Sequence, residues 1–445
     1  MGRHSSRLNS EQSARNRLLK AGLVASLVNG ATALAVPLLS LPILLDVMGK
    51  EAYGLWVTVT TVTAIVAVFD LGVGNAALTQ LASTSDAKER LRIIKAMYAL
   101  AACIALVMLV GWAFVSLTID VTAALGADEV PRAGTFTHIA MLSAICAMPA
   151  SLIYKVQVGL GHQVSSYLTQ AGAIGLFLVV LLVLHFSGAG SVEVAVAVVW
   201  VPVGVALVYT LLTLDLRALG SANLAGGPGD GRRSPVRRHL RMGLPIFAVT
   251  LLMLAATSFD PMLVGTTLGY DQVPDYSVPF RVFSAISAIA VMLSGPLWAL
   301  NASALARGDV AWVRQKARAV SVGVGLVVAV MAGVCVAIGE PLIRVWLAGG
   351  VDYDPRVWAL LAFTVTLQAA GGPWFMVQNS VARMRVQLFA YGALCLLIPA
   401  KYLALQQWGI MGLVSLGLLA QLCLLTPAAL WGAKRVLRER ENHHV

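Results

Sequence analysis

The charged side chains that are the best candidates for a functional role lie inside long apolar runs of the sequence. Asp70 falls in FDLGVGNAAL, Asp260 in ATSFDPML and Arg281 in VPFRVF. A charge at the centre of a membrane helix costs roughly 3 kcal/mol or more, so its presence needs a physical reason. A buried carboxylate can hold a proton or a cation, or it can pair with Arg281. Arg281 can instead contact a diphosphate or anchor a helix in the lipid headgroups.

Four amide side chains in the same apolar runs extend this set of candidates: Asn75, Gln157, Gln378 and Asn379. With the three charged residues, they are the predicted lining or ion-coupling groups of a cavity that solvates a polar cargo. The alternative is that these groups form interhelical hydrogen bonds, which only hold helices together. We favour this structural interpretation for each amide, whereas both interpretations stand for the two aspartates.

The sequence lacks the motifs of common catalytic and metal sites. HExxH, Walker-type and GxSxG patterns are all missing from it. The five cysteines lie in apolar runs without a CxxC pair, so neither a disulfide framework nor a metal site is indicated. We therefore predict no catalytic residue, no metal and no cofactor, and a protein that is not an enzyme.

Membrane helices must position these polar groups. The chain has 445 residues, of which 58% are hydrophobic and only 12% charged, whereas soluble domains carry roughly 25% charge. The apolar runs are continuous rather than alternating, which excludes an outer-membrane barrel. Because a helix needs about 20 apolar residues to cross a bilayer, the sequence predicts twelve spans. They cover residues 21–48, 53–84, 93–119, 133–158, 164–187, 192–216, 241–268, 277–305, 319–347, 356–381, 385–404 and 408–431.

Basic residues are concentrated on one side of the predicted helices. The predicted cytoplasmic side comprises the two tails, the connections 85–92, 217–240 and 306–318, and the helix ends on that side, including Lys155, Arg383 and Arg385. It holds 26 of the 32 Lys and Arg residues. Because cytoplasmic connections are rich in Lys and Arg, we expect both termini in the cytoplasm. The predicted organisation is a cytoplasmic tail, an N-lobe, a cytoplasmic linker, a C-lobe and a second cytoplasmic tail, at residues 1–20, 21–216, 217–240, 241–431 and 432–445.

The two halves of the sequence match at a nearly constant offset. At 223 residues, Tyr53 corresponds to Tyr276, and at 224 residues, Pro149 corresponds to Pro373. Six spans per half is an even number, so the two copies have the same orientation in the membrane. The predicted fold class is an all-α polytopic membrane protein with two six-helix lobes related by a parallel internal repeat. Transporters of this kind place their pathway between the repeats.

The segment PILLDVMGKEAYGLW, followed by FDLGVGNA, resembles the opening of bacterial polysaccharide transporters. The resembling positions are Gly49, Glu51, Tyr53, Gly54 and the Asp-Leu-Gly of residues 70–72. At the motif level the resemblance covers about residues 20–90, and it is to O-antigen flippases (Wzx-like) of the multidrug/oligosaccharidyl-lipid/polysaccharide exporter superfamily. It implies transfer of an undecaprenyl-diphosphate-linked oligosaccharide from the cytoplasmic to the outer leaflet of the bacterial inner membrane. The product would be O-antigen, exopolysaccharide or capsule.

Two other functions are considered. A cation-coupled multidrug exporter of the same superfamily would need a carboxylate in its first helix, and Asp46 near the outer end of that helix is the one candidate. A membrane glycan polymerase or ligase would need a sizeable outer loop, whereas the predicted outer connections are short. The expected partners are the lipid-linked oligosaccharide, membrane lipids, and the polysaccharide polymerase and glycosyltransferases of the pathway. No nucleic acid partner is expected.

Overall fold

The computed structural model describes residues 2–68, 74, 78, 81, 84, 86–214, 248–294, 297–348, 350–381 and 383–442. These ranges contain helices joined by short turns, and no strand occurs in them. The helices are α1 (Gly2–Val68), α2 (Ala87–Thr118), α3 (Val121–Ala124), α4 (Ala133–Gly159), α5 (Gln163–Phe186), α6 (Ser191–Thr213), α7 (Ala248–Leu268), α8 (Val273–Ser294), α9 (Leu297–Ala306), α10 (Val310–Ala337), α11 (Gly339–Trp346), α12 (Pro355–Ser380), α13 (Arg385–Leu396), α14 (Ile398–Ala420) and α15 (Thr426–Asn442).

Ten of the described helical stretches are long and apolar enough to cross a membrane. Two of them contain a break at glycine. Gly49 interrupts α1 with a φ of 75°, and Gly409 interrupts α14 with a φ of 59°, a left-handed conformation that glycine adopts without steric cost. The chain folds back between Ala404 and Gly412. The two residues approach so closely that a β-carbon added at Gly412 would collide with the Ala404 carbonyl oxygen.

These two breaks relate the described helices to the predicted spans. Gly49 divides α1 at the connection predicted between the first two spans. Gly409 divides α14 next to the predicted start of the twelfth span at residue 408, and the predicted eleventh span, 385–404, covers α13 and the first part of α14. The helical polytopic fold class predicted from the apolar runs is thereby confirmed.

Contacts within the chain divide it into two units. Unit 1 contains Met1–Ile43, Phe69–Thr118 and His138–Leu240, and unit 2 contains Leu44–Val68, Ile119–Thr137 and Arg241–Val445. The units follow the two predicted lobes, except that residues 44–68 and 119–137 of the predicted N-lobe belong to unit 2. The predicted linker, residues 217–240, lies outside the described residues.

Unit 1 is held together by apolar packing among α2, α4 and α6. One cluster joins Ile94 and Met97 of α2 to Leu152 and Val156 of α4. The opposite face of α2 is apolar and exposed, as expected for a helix that faces lipid. That face includes Leu106, Val107, Val110, Phe114 and Leu117.

Unit 2 has its densest packing around α10, α12 and α15. Ala317 of α10, Val377 of α12 and Ala433 of α15 are fully buried in one cluster. Small residues at such contacts let helix backbones approach closely, which favours helix association in a membrane. The Trp358 ring is also buried and meets the Phe283 ring edge-on, with the ring centroids 5.5 Å apart.

Candidate functional site

Asp260 lies at an interruption of α7. Phe259 is in a turn between two helical segments, and the second segment begins at Asp260 with Pro261 as its next residue. Proline is tolerated in a first helical turn because its missing N–H would have no partner there. The sequence therefore restarts the helix at this point and leaves the Asp260 side chain buried within unit 2.

Two side chains compensate the buried Asp260 carboxylate. Lys401 Nζ lies 2.7 Å from its Oδ1 atom, and the Tyr276 hydroxyl donates a hydrogen bond of 3.1 Å to Oδ2. Lys401 Nζ also donates to the Ala256 carbonyl oxygen at 2.9 Å. We call Asp260, Tyr276 and Lys401 the ionic centre. When one partner of such a buried pair is removed, the other remains buried as an uncompensated charge.

The pairing of Asp260 differs from the one considered from the sequence. Its partner is Lys401, whereas the Arg281 guanidinium lies over the Tyr53 ring, 5.8 Å from the ring centroid. Such a position gives a cation–π attraction. Lys401 is not among the candidate residues taken from the sequence. The sequence nevertheless marks this residue, because Lys401 interrupts the apolar run LLIPAKYLAL in the same way that Asp260 interrupts its own run.

A second polar cluster joins three of the predicted outer connections, all within unit 2. Lys50 Nζ lies 3.1 Å from Asp275 Oδ1, and the backbone N–H of Asp352 donates to the same oxygen at 2.9 Å. The Asp275 side chain is 7% exposed, and that of Asp352 is 87% exposed. We call Lys50, Asp275 and Asp352 the Lys50 network. One buried carboxylate thus links a residue of the first sequence half to two connections of the second.

Close backbone packing surrounds the Lys50 network. A β-carbon at Gly54 would collide with the Tyr270 carbonyl oxygen, so only glycine permits this approach. The Tyr270 hydroxyl donates a 2.7 Å hydrogen bond to the carbonyl oxygen of Leu125. These contacts are the physical reason why residues 44–68 and 119–137 belong to unit 2 rather than to the rest of the predicted N-lobe.

Gln378 and Asn379 form interhelical hydrogen bonds. The Gln378 Nε2 atom donates to the carbonyl oxygens of Ala428 and Ala429, both at 3.1 Å. The Gln387 Nε2 atom donates to Asn379 Oδ1 at 2.8 Å. The end of α12 is therefore tied to α13 and α15. This arrangement fits the structural interpretation of both amides.

Gln157 lines a cavity of about 590 Å³ within unit 1. Its Oε1 atom lies 2.9 Å from Nδ1 of His162, and the cavity extends from the end of α4 to the start of α5 and the end of α6. The lining residues are Gln157, Gly161, His162, Gln163, Val164, Ser165, Tyr209 and Thr213.

Asp70 and Asn75 lie outside the described residues. Gly74, between them, is described, and a β-carbon added to it would lie 2.7 Å from Lys155 Nζ. Lys155 of α4 therefore lies against Gly74. In the part of the chain that the structure describes, no group of three or more His, Cys, Asp and Glu side chains is arranged to hold a metal ion.

Comparison with solved structures defines the class of fold. An inward-facing multidrug resistance MATE family transporter of the MOP superfamily is 13% identical, with a TM-score of 0.71 over 93% of this chain and 99% of that one. A MOP superfamily transporter from Pyrococcus furiosus is 16% identical, with a TM-score of 0.62 over 94% and 96% of the two chains. The Vibrio cholerae MATE transporter VcmN in its bent form is 14% identical, with a TM-score of 0.55 over 97% and 99%. The chain therefore has the two-lobe, multi-pass fold of these membrane transporters.

Comparison with protein families then assigns the chain to one of them. The model of a family described as "Polysaccharide biosynthesis protein" matches residues 18–297, well over half of the sequence. The chain belongs to this family. Comparison with curated protein sequences gives no match.

Proposed function

We propose that this protein is a flippase that transfers a lipid-linked oligosaccharide across the bacterial inner membrane, from the cytoplasmic to the outer leaflet, for polysaccharide biosynthesis. The observation that carries the proposal is the family match over residues 18–297 in a chain with a membrane-transporter fold. Membership of a polysaccharide family favours a glycan cargo, and the fold favours movement of that cargo rather than its synthesis.

The cargo needs such a carrier for a physical reason. A diphosphate-linked glycan cannot enter hydrocarbon unaided, because its charges and hydroxyl groups would lose their hydration. A carrier supplies a polar route for the head group while the lipid tail stays in the bilayer. Glycosyltransferases at the cytoplasmic face would supply this substrate, and a polymerase on the other side would consume it.

The Lys50 network has a clear place in this proposal. The charge distribution predicts that its three connections face the outer side of the membrane. In the described conformation they are held together by the buried Asp275 carboxylate. We infer that the Lys50 network closes the outer end of the pathway and must open before the glycan is released.

Ion coupling is better assigned to Asp70 than to Asp260. The Lys401 ammonium already neutralises Asp260 at 2.7 Å, so a coupling ion would have to displace a buried charge. Asp70 is the acidic residue of the Asp-Leu-Gly motif in the second predicted span and is our candidate for holding a proton or cation. An Asp70→Asn variant should lose the dependence of transfer on an ion gradient. Retention of that dependence would contradict the assignment.

Deletion of the gene tests the function in cells. Lipid-linked repeat units should accumulate in the inner leaflet, and one surface or exported polysaccharide should be lost. Unchanged outward transfer, in a strain with no second flippase, would contradict the proposal.

A second candidate function rests on the fold. The similar structures include multidrug resistance MATE transporters, so a cation-coupled drug exporter is the alternative. It predicts that the deletion strain becomes sensitive to cationic dyes while its polysaccharide is unaffected.

A further inference from the structure

The cavity beside Gln157 has the dimensions of a binding site. Its volume of about 590 Å³ lies within the range of roughly 300–1,000 Å³ that small-molecule sites occupy. It is formed where α4 ends, α5 begins and α6 ends. The charge distribution predicts that these three helix ends face the cytoplasm, on the same side as the linker at residues 217–240.

A tight turn places the first two polar groups of the cavity. Gly161 has a φ of 92°, and the backbone N–H of His162 donates to the Gln157 carbonyl oxygen at 2.8 Å. The Gln157 side chain is only 2% exposed. Its Oε1 atom lies 2.9 Å from Nδ1 of His162. The turn therefore holds an amide and an imidazole side by side in the cavity wall.

Three hydroxyl groups also line the cavity, those of Ser165, Tyr209 and Thr213. Ser165 Oγ and Tyr209 Oη lie 2.9 Å apart, and this contact uses one of their two hydroxyl hydrogens. The Tyr209 ring stacks on that of Tyr154 with centroids 6.0 Å apart, which fixes its position. The Thr213 hydroxyl donates to the Tyr209 carbonyl oxygen at 2.7 Å and keeps its lone pairs for a ligand.

The chemistry of the lining selects one class of ligand. All of its polar side chains are amide, imidazole or hydroxyl groups, and none of the lining residues is Asp, Glu, Lys or Arg. A bound phosphate would lack a cationic partner, and a bound amine would lack an anionic one. A ligand with many hydroxyl groups matches both the donors and the acceptors of this wall.

We propose that this cavity binds a neutral sugar unit at the cytoplasmic end of unit 1. Resting on the proposed function, we identify that unit as part of the glycan head of the lipid-linked cargo. The cavity then selects the glycan before transfer, separately from any contact with the diphosphate.

Binding is tested on the full-length protein in lipid nanodiscs by isothermal titration calorimetry. The probes are glucose, galactose, N-acetylglucosamine and N-acetylgalactosamine, with inorganic pyrophosphate as the anionic comparison. At least one sugar should give a saturable signal, and pyrophosphate should give none. The Ser165→Ala variant removes an exposed hydroxyl and should weaken binding about 2- to 10-fold, the range for one hydrogen bond. Ser165→Trp should fill the cavity and abolish binding.

The matched control is Ser187→Ala, which removes an exposed hydroxyl at the far end of α5 that bonds only to its own helix at Leu184. It should bind the sugar like the wild type. Absence of any saturable sugar signal, equal binding of pyrophosphate, or unchanged binding by Ser165→Trp would each overturn the proposal.

A cellular arm separates this inference from the proposed function. If the deletion strain loses glycan transfer, complementation with Ser165→Trp should leave lipid-linked units in the inner leaflet, whereas Ser187→Ala should restore transfer. Restored transfer by Ser165→Trp would refute the cavity as a cargo site and leave the flippase function standing. Unchanged transfer in the deletion strain, with sugar binding intact in nanodiscs, would refute the flippase function and leave a site for free sugar.

Discussion

Lys401 and Asp260 are 141 residues apart in the chain and form a buried ion pair, with 2.7 Å between Nζ and Oδ1. The pair fastens α14 to the point where α7 is interrupted. Both oxygens of the Asp260 carboxylate have a partner, since Tyr276 donates to the second oxygen. The ionic centre therefore has the features of a structural contact between helices.

Removal of one charge from this pair should destabilise the protein. Lys401→Met leaves the Asp260 carboxylate buried without its ammonium, a loss of about 3–5 kcal/mol for such pairs. Asp260→Leu combined with Lys401→Met removes both charges and should regain most of the loss. Thermal stability followed by fluorescence-detected size-exclusion chromatography measures both effects.

The matched control is Arg344→Met, which removes an exposed ion pair with Glu340 and should change stability by less than about 1 kcal/mol. If the double variant is as unstable as Lys401→Met alone, the structural role of the pair is incorrect.

Substitution of Gly54 should disturb the packing around the Lys50 network. In Gly54→Ala, the new methyl group would collide with the Tyr270 carbonyl oxygen, so the two backbones must separate. We expect a clear fall in melting temperature and faster labelling of a cysteine placed at Lys50. Gly172→Ala is the control, because a β-carbon there meets nothing within 4 Å and alanine favours a helix by up to about 1 kcal/mol. Equal melting temperatures and equal labelling rates for the two variants would show that the contact at Gly54 is not tight.

A covalent link across the Lys50 network should stop transfer. Cysteines at Lys50 and Asp275, in a protein freed of its five native cysteines, are joined by a short bifunctional thiol reagent with a cleavable disulfide. Outward transfer of the glycan should cease on cross-linking and return on reduction, because the link prevents the outer connections from opening. Each single-cysteine variant should transfer glycan at the same rate before and after the identical treatment. Undiminished transfer by the linked protein would remove the Lys50 network from the mechanism.

The orientation of the chain is tested by accessibility. A cysteine at Asp128 should react with an impermeant thiol reagent applied outside intact spheroplasts, and one at Gly229 should react only after the membrane is opened. The reason is the concentration of 26 of the 32 basic residues on one side. The reverse labelling pattern would invert the topology.

The helices could be predicted from the sequence because apolar runs of about 20 residues have one stable form in a bilayer, whichever tertiary contacts follow. The breaks at Gly49 and Gly409 are marked by glycine between such runs. The Asp260–Lys401 pair could not be predicted, because pairing depends on which helices become neighbours. The grouping of residues 44–68 with the second half of the chain could not be predicted for the same reason, since it depends on contacts such as that of Lys50 with Asp275.

Transfer by the purified protein is the most direct test of the central claim. The protein is reconstituted into liposomes that contain lipid-linked oligosaccharide, and a membrane-impermeant glycosidase is added outside. In protein-free liposomes only the outer-leaflet glycan is cleaved. With the protein present, glycan initially protected in the inner leaflet should become cleavable with time, and the Lys50–Asp275 cross-link should restore its protection. A protected fraction identical to that of protein-free liposomes, with the protein folded and correctly inserted, would contradict the flippase function.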